Sequence, residues 1–304
     1  MNSYLHSPLE CSNYTLFNPL PFSHSRYFRI KINKIRYRYK NSSPYISGDS
    51  IASLTDYIAY GRFRNRKLNL VKLASANSIF VYGDLLDKFL NESKGYVNAH
   101  TLVTGNSDQN FTEPILLPKS IKRWICQNNG MPEQQGLYTL PIGIENLGLG
   151  RAGLTKYFKK YRENAVHDKV LIPPMSPTNL VRTKVIFEAL QKPKFFVVER
   201  KLQSEQDYFH LTRKYRFVFC CEGNGFDNHR IWETLYQGSF PVLLETNWSK
   251  SLKYLNLPIL YVSSLAKINL DLLAQFYEAH KNFDPSTMES LWTSYWKKLI
   301  TLEE

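Results

Sequence analysis

Residues 217–242 read FVFCCEGNGFDNHRIWETLYQGSFPV, and the predicted fold depends most on this segment. It begins with a short apolar run typical of a buried strand, and a loop containing Gly223 and Gly225 follows. The apolar spacing over 229–237 predicts a helix, and residues 240–244 are again apolar and strand-like. A strand, a helix and a second strand in this order predict a βαβ unit, and hence a parallel sheet.

The same alternation of strands and helices extends over most of the chain. Apolar runs predict strands at 78–82, 101–104, 137–142, 169–172, 195–198, 216–220, 240–244 and 259–262. Helical spacing predicts helices at 84–90, 152–161, 179–190, 205–214, 229–237, 265–280 and 286–302. The predicted fold class is therefore α/β, with two Rossmann-like domains built on parallel sheets.

The boundary between the two predicted sheets lies near residues 145–168. We therefore expect an N-terminal Rossmann-like domain over residues 1–150 and a C-terminal one over residues 151–285, followed by a last helix within 286–304. No internal repeat and no low-complexity segment interrupts this organisation.

The composition excludes several classes of protein. Of 304 residues, 43% are hydrophobic and 21% charged, an ordinary balance for a folded domain and not for a disordered or collagen-like chain. No apolar run reaches the roughly 18 residues of a spanning helix, and residues 1–22 lack the apolar core of a signal peptide. The four cysteines show no metal-ligand spacing, so we expect a reducing, cytoplasmic setting.

The net charge of +13 is high and favours polyanionic partners such as nucleic acid, anionic lipid or phosphorylated substrates. The most basic segment, residues 26–40, alternates apolar side chains with Lys and Arg, which predicts a half-buried strand with a bulge near Asn33. Its charges indicate either a face that touches phosphates or an edge strand that is protected from aggregation. We favour the edge strand.

The loop between the strand at 216–220 and the helix at 229–237 is the predicted ligand site. Ligands of parallel sheets bind at the carboxyl ends of the strands, which is where this loop lies. Gly223 and Gly225 allow backbone amides to approach a ligand, and Asp227 or Asn228 is suited to cap the helix. The free N–H groups at a helix start favour a phosphate ligand.

Arg230 and Glu233 are three residues apart and so lie on one face of the predicted helix. A guanidinium can hold a diphosphate through paired hydrogen bonds, and a carboxylate one turn later suits two neighbouring hydroxyls such as those of a ribose. The alternative is a surface ion pair beside an ordinary turn. The combination of strand exit, glycines, Arg230 and Glu233 in one run favours the binding site over that alternative.

The segment GNGFDNHRIWETLYQGSFPV (223–242) resembles the nucleotide-sugar-binding segment of exostosin-like glycosyltransferases, which are GT-B enzymes with two Rossmann-like domains facing each other across a cleft. Two shorter segments, PIGIEN (141–146) and PTNLVR (177–182), fit the same resemblance, and SGDS (47–50) and TGNSDQN (104–110) resemble N-terminal-domain loops of bacterial relatives. The resemblance covers roughly residues 47–244. Glu222 departs from it, because relatives often carry a small or basic residue there.

The resemblance implies transfer of a sugar from a nucleotide-sugar donor to a hydroxyl of a glycan or lipid-linked acceptor, with inversion. By this resemblance, the residues expected to bind the donor are Asn179, Arg182, Gly223, Asn224, Gly225, Asp227, Arg230 and Glu233. No Asp-x-Asp pair occurs, which fits an enzyme that needs no metal or other cofactor. As in GT-B chains, the last helix is expected to cross back onto the first domain through Trp292 and Trp296.

An inverting reaction needs a base for the acceptor hydroxyl, and the N-terminal domain is expected to supply it. Asp108 is the first candidate because it follows a strand end and would face the cleft, and Asp49, in a Gly-Asp-Ser loop, is the second. Asn106 and Asn128 are candidates for positioning sugar hydroxyls or for ordinary turn chemistry.

Two other classes of function remain open at this point. The basic, Tyr-interleaved segment 26–40 fits a nucleic-acid-binding protein, although no known nucleic-acid motif is visible and we expect no nucleic-acid partner. The second class is a protein with a glycosyltransferase fold that binds a glycan but does not catalyse transfer. If the protein is an enzyme, a basic surface is a candidate for holding it to the anionic inner membrane. That surface would be segment 26–40 or the basic residues Lys156, Lys159, Lys160 and Arg162.

Overall fold

The computed structural model of this chain describes residues 40–149, 153–158, 167–176, 178–199 and 204–302. The basic segment predicted at 26–40, except for Lys40, lies outside the described residues. Lys159, Lys160 and Arg162 also lie outside them, whereas Lys156 is described and exposed.

The first sheet has five parallel strands that follow one another in chain order. They are β1 (Tyr57–Ile58), β2 (Ser78–Tyr82), β3 (Thr101–Gly105), β4 (Arg123–Gln127) and β5 (Leu137–Leu140). Three short helices accompany them, α1 (Gly48–Ala52), α2 (Leu70–Ala74) and α3 (Leu86–Glu92). Every residue of β2 and β3 is buried, as expected for strands covered on both faces.

The second sheet also has five parallel strands, in the order β7-β6-β8-β9-β10. They are β6 (His167–Ile172), β7 (Phe196–Val198), β8 (Tyr215–Phe219), β9 (Phe240–Leu244) and β10 (Leu260–Val262). Its helices are α4 (Leu180–Leu190), α5 (Glu205–Thr212), α6 (His229–Tyr236), α7 (Asn247–Lys250) and α8 (Leu270–His280), and α9 (Thr293–Thr301) ends the described chain. The strand order reverses between β6 and β8, and the carboxyl ends of these two strands therefore flank a crevice.

The predicted α/β class with two parallel sheets is confirmed, and the layout is consistent with two Rossmann-like domains. Two strands were not predicted, β1 because it has only two residues and β4 because Arg123 and Gln127 flank only three apolar residues. Among the described helices, none combines the length and the apolar character that crossing a membrane requires.

Three predicted helices are wrong in extent. The described part of 152–161 contains only a 3₁₀ turn, Thr155–Phe158. The predicted helix at 265–280 begins at Leu270, because the Asn269 side chain accepts a hydrogen bond from the Leu272 N–H and caps the helix there. The predicted helix at 286–302 begins only at Thr293, since Trp292 has an extended backbone and follows two 3₁₀ turns.

One apolar core joins the two sheets. Helix α6 contributes Ile231, Trp232, Leu235 and Tyr236, all fully buried, to a cluster that also contains Phe80, Val103 and Ile125 of the first sheet and Val218 and Leu243 of the second. Burying large side chains of this kind contributes about 1.5–3 kcal/mol each. The relative position of the sheets is thus fixed by shared apolar burial.

The last helix, α9, packs against α1 and β3 of the first sheet. Trp296 is fully buried in the shared core and donates its indole N–H to the Ser290 carbonyl oxygen at 3.0 Å. Trp292 lies before the helix and packs its ring against Tyr45 and Tyr236, tilted by 56° to each. The chain therefore returns to the N-terminal sheet after completing the C-terminal one.

Candidate functional site

A continuous cleft runs along the carboxyl ends of the strands and consists of two adjoining pockets of about 780 Å³ and 350 Å³. Asp108, Ile142 and His229 line both pockets and mark the junction between them. The larger pocket is mainly polar, and its lining includes Arg64, Asp84, Asn106, Gln109, Asn110 and Asn146. The smaller pocket is lined by the loop before α6 and by the first turns of α6.

The loop before α6 is held by its own backbone and by the helix cap. The Gly223 N–H donates to the Gly225 carbonyl oxygen at 3.0 Å. Asn228 is the N-cap residue, since its side-chain oxygen accepts from the Arg230 N–H at 3.1 Å, and its amide donates to the Cys221 carbonyl oxygen at 3.1 Å. Of the two predicted caps, the structure therefore uses Asn228 and leaves Asp227 for other contacts.

The two glycines permit close approaches within the chain. A Cβ on Gly223 would lie 2.9 Å from a terminal nitrogen of Arg182, and a Cβ on Gly225 would lie 2.7 Å from the amide nitrogen of Asn128. Both distances are shorter than a Cβ tolerates. The sequence predicts that these glycines admit a ligand, and the structure adds that they admit an arginine from α4 and an asparagine from the opposite wall.

Two arginines converge on the smaller pocket from different elements. The Arg182 side chain, from α4, donates to the carbonyl oxygens of Glu222 at 2.8 Å and Ser176 at 2.9 Å. Arg230, from α6, donates to the carbonyl oxygen of Pro174 at 2.7 Å. These neutral acceptors belong to the segments that follow β6 and β8, so the guanidiniums lie where the strand order reverses.

Neither of the two arginines forms an ion pair with a described carboxylate. Within the described residues, no carboxylate lies within 4.0 Å of either guanidinium. Arg182 is only 7% exposed, and burial together with the like charge of Arg230 lowers its pKa. Two close cations with no carboxylate in direct contact favour binding of a multiply charged anion, and guanidiniums bind phosphate oxygens in paired geometry.

Asn179 positions this arrangement from the start of α4. Its side-chain oxygen caps the helix by accepting from the Arg182 N–H at 3.0 Å, and its amide donates to the Gly223 carbonyl oxygen at 2.7 Å. Asn179 thus connects the helix that carries one arginine to the glycine loop, and it does not line the pocket of about 350 Å³.

Glu233 lies in the wall of the smaller pocket and is buried, with 4% exposure. Burial raises the pKa of its carboxyl to about 7, against the lowering effect of Arg230, while the charge of Glu145 raises it further. Although both residues are described, Arg230 and Glu233 are not an ion pair. The surface ion pair considered from the sequence is therefore wrong.

Asp227 is 5% exposed and fully engaged within the chain. Its carboxylate accepts from the N–H groups of Ile142 at 2.7 Å and Asn228 at 2.7 Å and from the Trp232 indole at 2.9 Å. Burial raises its pKa to about 7 despite these bonds. Asp227 therefore holds the loop in place, and it affects ligand binding only through the position of the loop.

The two predicted bases lie in different environments. Asp108 is exposed at the junction of the pockets and accepts from the Asn224 amide at 3.3 Å. Asp49 forms an ion pair with Arg62 at 2.8 Å and accepts from the Asn106 amide at 3.3 Å. Only Asp108 belongs to the lining of the cleft as far as the described residues show.

Glu222 is directed away from the arginine pair. Its carboxylate accepts a long hydrogen bond from the Thr246 hydroxyl, 3.4 Å, and the residue lines a separate pocket of about 210 Å³. The departure from the family pattern at this position therefore places no carboxylate beside the guanidiniums, and Arg182 contacts only its carbonyl oxygen.

His229 is a cleft residue that was not predicted. It is the first residue of α6, and its Nδ1 donates to the Gly143 carbonyl oxygen at 2.7 Å. Its position directly after the glycine loop and cap was the available signal. Asn106 and Asn128 hold loops, since the Asn128 amide donates to the carbonyl oxygens of Ser107 and Gln109.

No protein-family model matches this chain, and no curated protein matches it at a significant level. The assignment of an activity therefore depends on the geometry and charge of the cleft and on the motif in residues 223–242.

Proposed function

We propose that the protein is a glycosyltransferase of the exostosin-like GT-B type, which moves a sugar from a nucleotide-sugar donor to a hydroxyl of a glycan or lipid-linked acceptor. The observation that carries the proposal is the pair Arg182 and Arg230, which meet at the reversal point of the second sheet without a carboxylate partner among the described residues.

The donor diphosphate would lie in the smaller pocket. Arg230 and the N-terminal turn of α6 supply positive charge to the diphosphate, and Arg182 supplies a second cation from α4. In the transition state the leaving nucleoside diphosphate gains negative charge, so fixed cations at that point lower the barrier. Glu233, one turn after Arg230 and in the same pocket, would accept hydrogen bonds from the ribose hydroxyls.

The acceptor would occupy the larger pocket. Amide and hydroxyl side chains such as Asn106, Ser107, Gln109 and Asn146 line it, and these groups match the donors and acceptors of a sugar. The transferred sugar would then lie at the junction beside Asp108 and His229, where a base must act on the acceptor hydroxyl.

The proposed reaction needs no metal, since the two guanidiniums neutralise the leaving group. Among the described residues there is no group of three or more His, Cys, Asp or Glu side chains that could hold a metal ion. Transfer is expected to be unchanged by a chelator, and restoration of activity only by a divalent cation would contradict this part of the proposal.

A thermal-shift screen of nucleotides and nucleotide sugars tests donor binding. We expect one nucleoside diphosphate and its sugar conjugates to raise the Tm of the wild type but not of Arg230→Ala. Lys297→Ala, which removes an exposed positive charge on α9, is the matched control and should respond like the wild type.

The other outcomes of the screen distinguish the alternatives. If no nucleotide stabilises the protein while single-stranded polynucleotide does so at low salt, the nucleic-acid-binding interpretation replaces this one. If a nucleotide sugar binds but no acceptor is glycosylated, the fold is a binding module without turnover.

A further inference from the structure

The imidazole of His229 has a fixed orientation and a defined tautomer. Its Nδ1 lies 2.7 Å from the carbonyl oxygen of Gly143, and a carbonyl oxygen only accepts hydrogen bonds. In the neutral ring the proton must therefore be on Nδ1, which leaves the lone pair on Nε2. No described residue hydrogen-bonds to Nε2, which lies on the opposite edge of the ring from Gly143.

The position of this ring in the cleft matters as much as its tautomer. Only three described residues line both pockets, and of these Ile142 has no ionisable group. Asp108 is exposed and already accepts a hydrogen bond from Asn224. His229 follows the glycine loop directly and is adjacent in sequence to Arg230, so it lies between the cationic pocket and the polar pocket.

We infer that His229, through Nε2, is the base that takes the proton from the acceptor hydroxyl; this inference rests on the glycosyltransferase function proposed above. The acceptor oxygen forms its new bond to the anomeric carbon while its proton moves to Nε2. The bond from that carbon to the donor phosphate oxygen breaks, and the nucleoside diphosphate leaves with the electron pair, stabilised by Arg182 and Arg230. The imidazolium then releases its proton to water.

The surroundings of His229 suit this role. Burial lowers its pKa below the ordinary value of 6.5, and Arg230 on the same helix lowers it further. The ring is therefore neutral near pH 7 and ready to accept a proton. Asp108, facing it from the loop after β3, raises the pKa and would stabilise the imidazolium that forms. Asp108 is thus a positioning and electrostatic partner of His229.

The decisive variant is His229→Asn, because an asparagine amide can replace Nδ1 as the donor to Gly143 but has no basic nitrogen. We expect its Tm and its affinity for the donor nucleotide to remain near the wild-type values, while transfer falls by about 10²–10⁴-fold, the usual contribution of a general base. The transfer rate of Asp108→Asn should fall less, by about 10-fold, as expected for a charge that only assists.

Two further measurements keep the inference testable if His229→Asn folds poorly. Added imidazole should partly restore the transfer rate of His229→Gly and leave the transfer rate of Asp108→Gly unchanged. In the wild type, kcat/KM should decline with falling pH, with a midpoint below 6.5, and this acid limb should be absent from His229→Asn.

The possible failures are distinct. If the wild type transfers sugar and His229→Asn retains its rate, or if Asp108→Asn shows the larger loss, the role of His229 is refuted and the proposed function stands. If the wild type binds no nucleotide or transfers no sugar to any acceptor, the proposed function fails and this inference fails with it.

Discussion

The carboxylate of Asp227 accepts a hydrogen bond from the backbone N–H of Ile142 at 2.7 Å, and this bond joins the loop before α6 to the end of β5. Two similar bonds run beside it, from the Asp227 N–H to the Asn128 side chain at 2.8 Å and from the Phe226 N–H to the Asn110 side chain at 2.9 Å. The two walls of the cleft are therefore held together by buried polar contacts as well as by the shared core.

Asp227→Asn should destabilise the protein by about 1–3 kcal/mol. The asparagine amide group replaces one oxygen that now accepts from backbone and indole N–H groups, so a buried donor loses its partner. Urea unfolding at pH 4 measures the loss, because burial raises the pKa of Asp227 to about 7 and its carboxyl is uncharged there, so the substitution changes hydrogen bonding and not charge. Asp271→Asn, on an exposed position of α8, is the control, and equal losses in the two variants would contradict the structural role of Asp227.

Gly225→Ala should disturb the cleft by displacing Asn128. The new Cβ would lie 2.7 Å from the Asn128 amide nitrogen, which now bonds two carbonyl oxygens of the loop after β3. We expect a loss of about 1–3 kcal/mol and weaker nucleotide binding, measured by urea unfolding and calorimetry.

Gly148→Ala is the matched control for this substitution, since nothing lies within 4 Å of its Cβ. The double variant with Asn128→Ala should recover part of the stability lost by Gly225→Ala alone, because the clash is then removed. A Gly225→Ala protein as stable as Gly148→Ala would show that the close approach is absent in solution.

Glu233→Gln should stabilise the protein at pH 8 and have little effect at pH 4.5. The pKa of Glu233 is raised from 4.5 to about 7 in the folded state, chiefly by burial, so its stabilising contribution is complete below pH 4.5 and is lost as the pH rises through 7. The neutral amide avoids that loss, which gives a gain of up to about 3 kcal/mol at pH 8.

Urea unfolding of both proteins across this pH range measures the effect of Glu233→Gln. Glu113→Gln, in an exposed loop, should show no such pH dependence. A difference between Glu233→Gln and wild type that stays constant from pH 4.5 to 8 would mean that the carboxyl does not titrate as its burial requires.

Tyr236→Phe should cost about 1–3 kcal/mol, because the hydroxyl accepts from the Ile46 N–H at 3.0 Å and donates to the Leu291 carbonyl oxygen. The loss leaves two buried backbone groups unpaired, one before α1 and one before α9. The Tm measures it, with Tyr96→Phe as an exposed control. Equal Tm values for the two variants would refute this cross-link.

Most of the second sheet was predictable, because short apolar strands alternate there with helices that have clear caps. The strand at 240–244 was predicted without error, and α4 and α6 were predicted to within one residue at each end. β1 and β4 escaped prediction since neither has enough consecutive apolar residues to be distinguished from a loop. Their place depends on the strands beside them.

The candidate site was predictable in part. Arg182 and Arg230 follow from the strand-loop-helix pattern and the family resemblance, and the structure brings them to one pocket. The roles of Asp227 and Asn179 were not predictable, because their partners Ile142 and Gly223 are backbone groups far away in sequence. His229 was missed because a histidine at a helix start is common, and only its position directly after the glycine loop and cap pointed to it.

The α/β class, the parallel strands and the glycine loop before α6 follow from local patterns, since they depend on local periodicity and on the conformational range of single residues. By contrast, the common pocket lining of Asp108 and His229 and the burial of Glu233 arise from packing between distant parts of the chain. The reason is physical. The packing of the two sheets on one shared core determines which loops meet and how far a carboxylate is removed from water. That packing results from many weak contacts between residues distant in the chain.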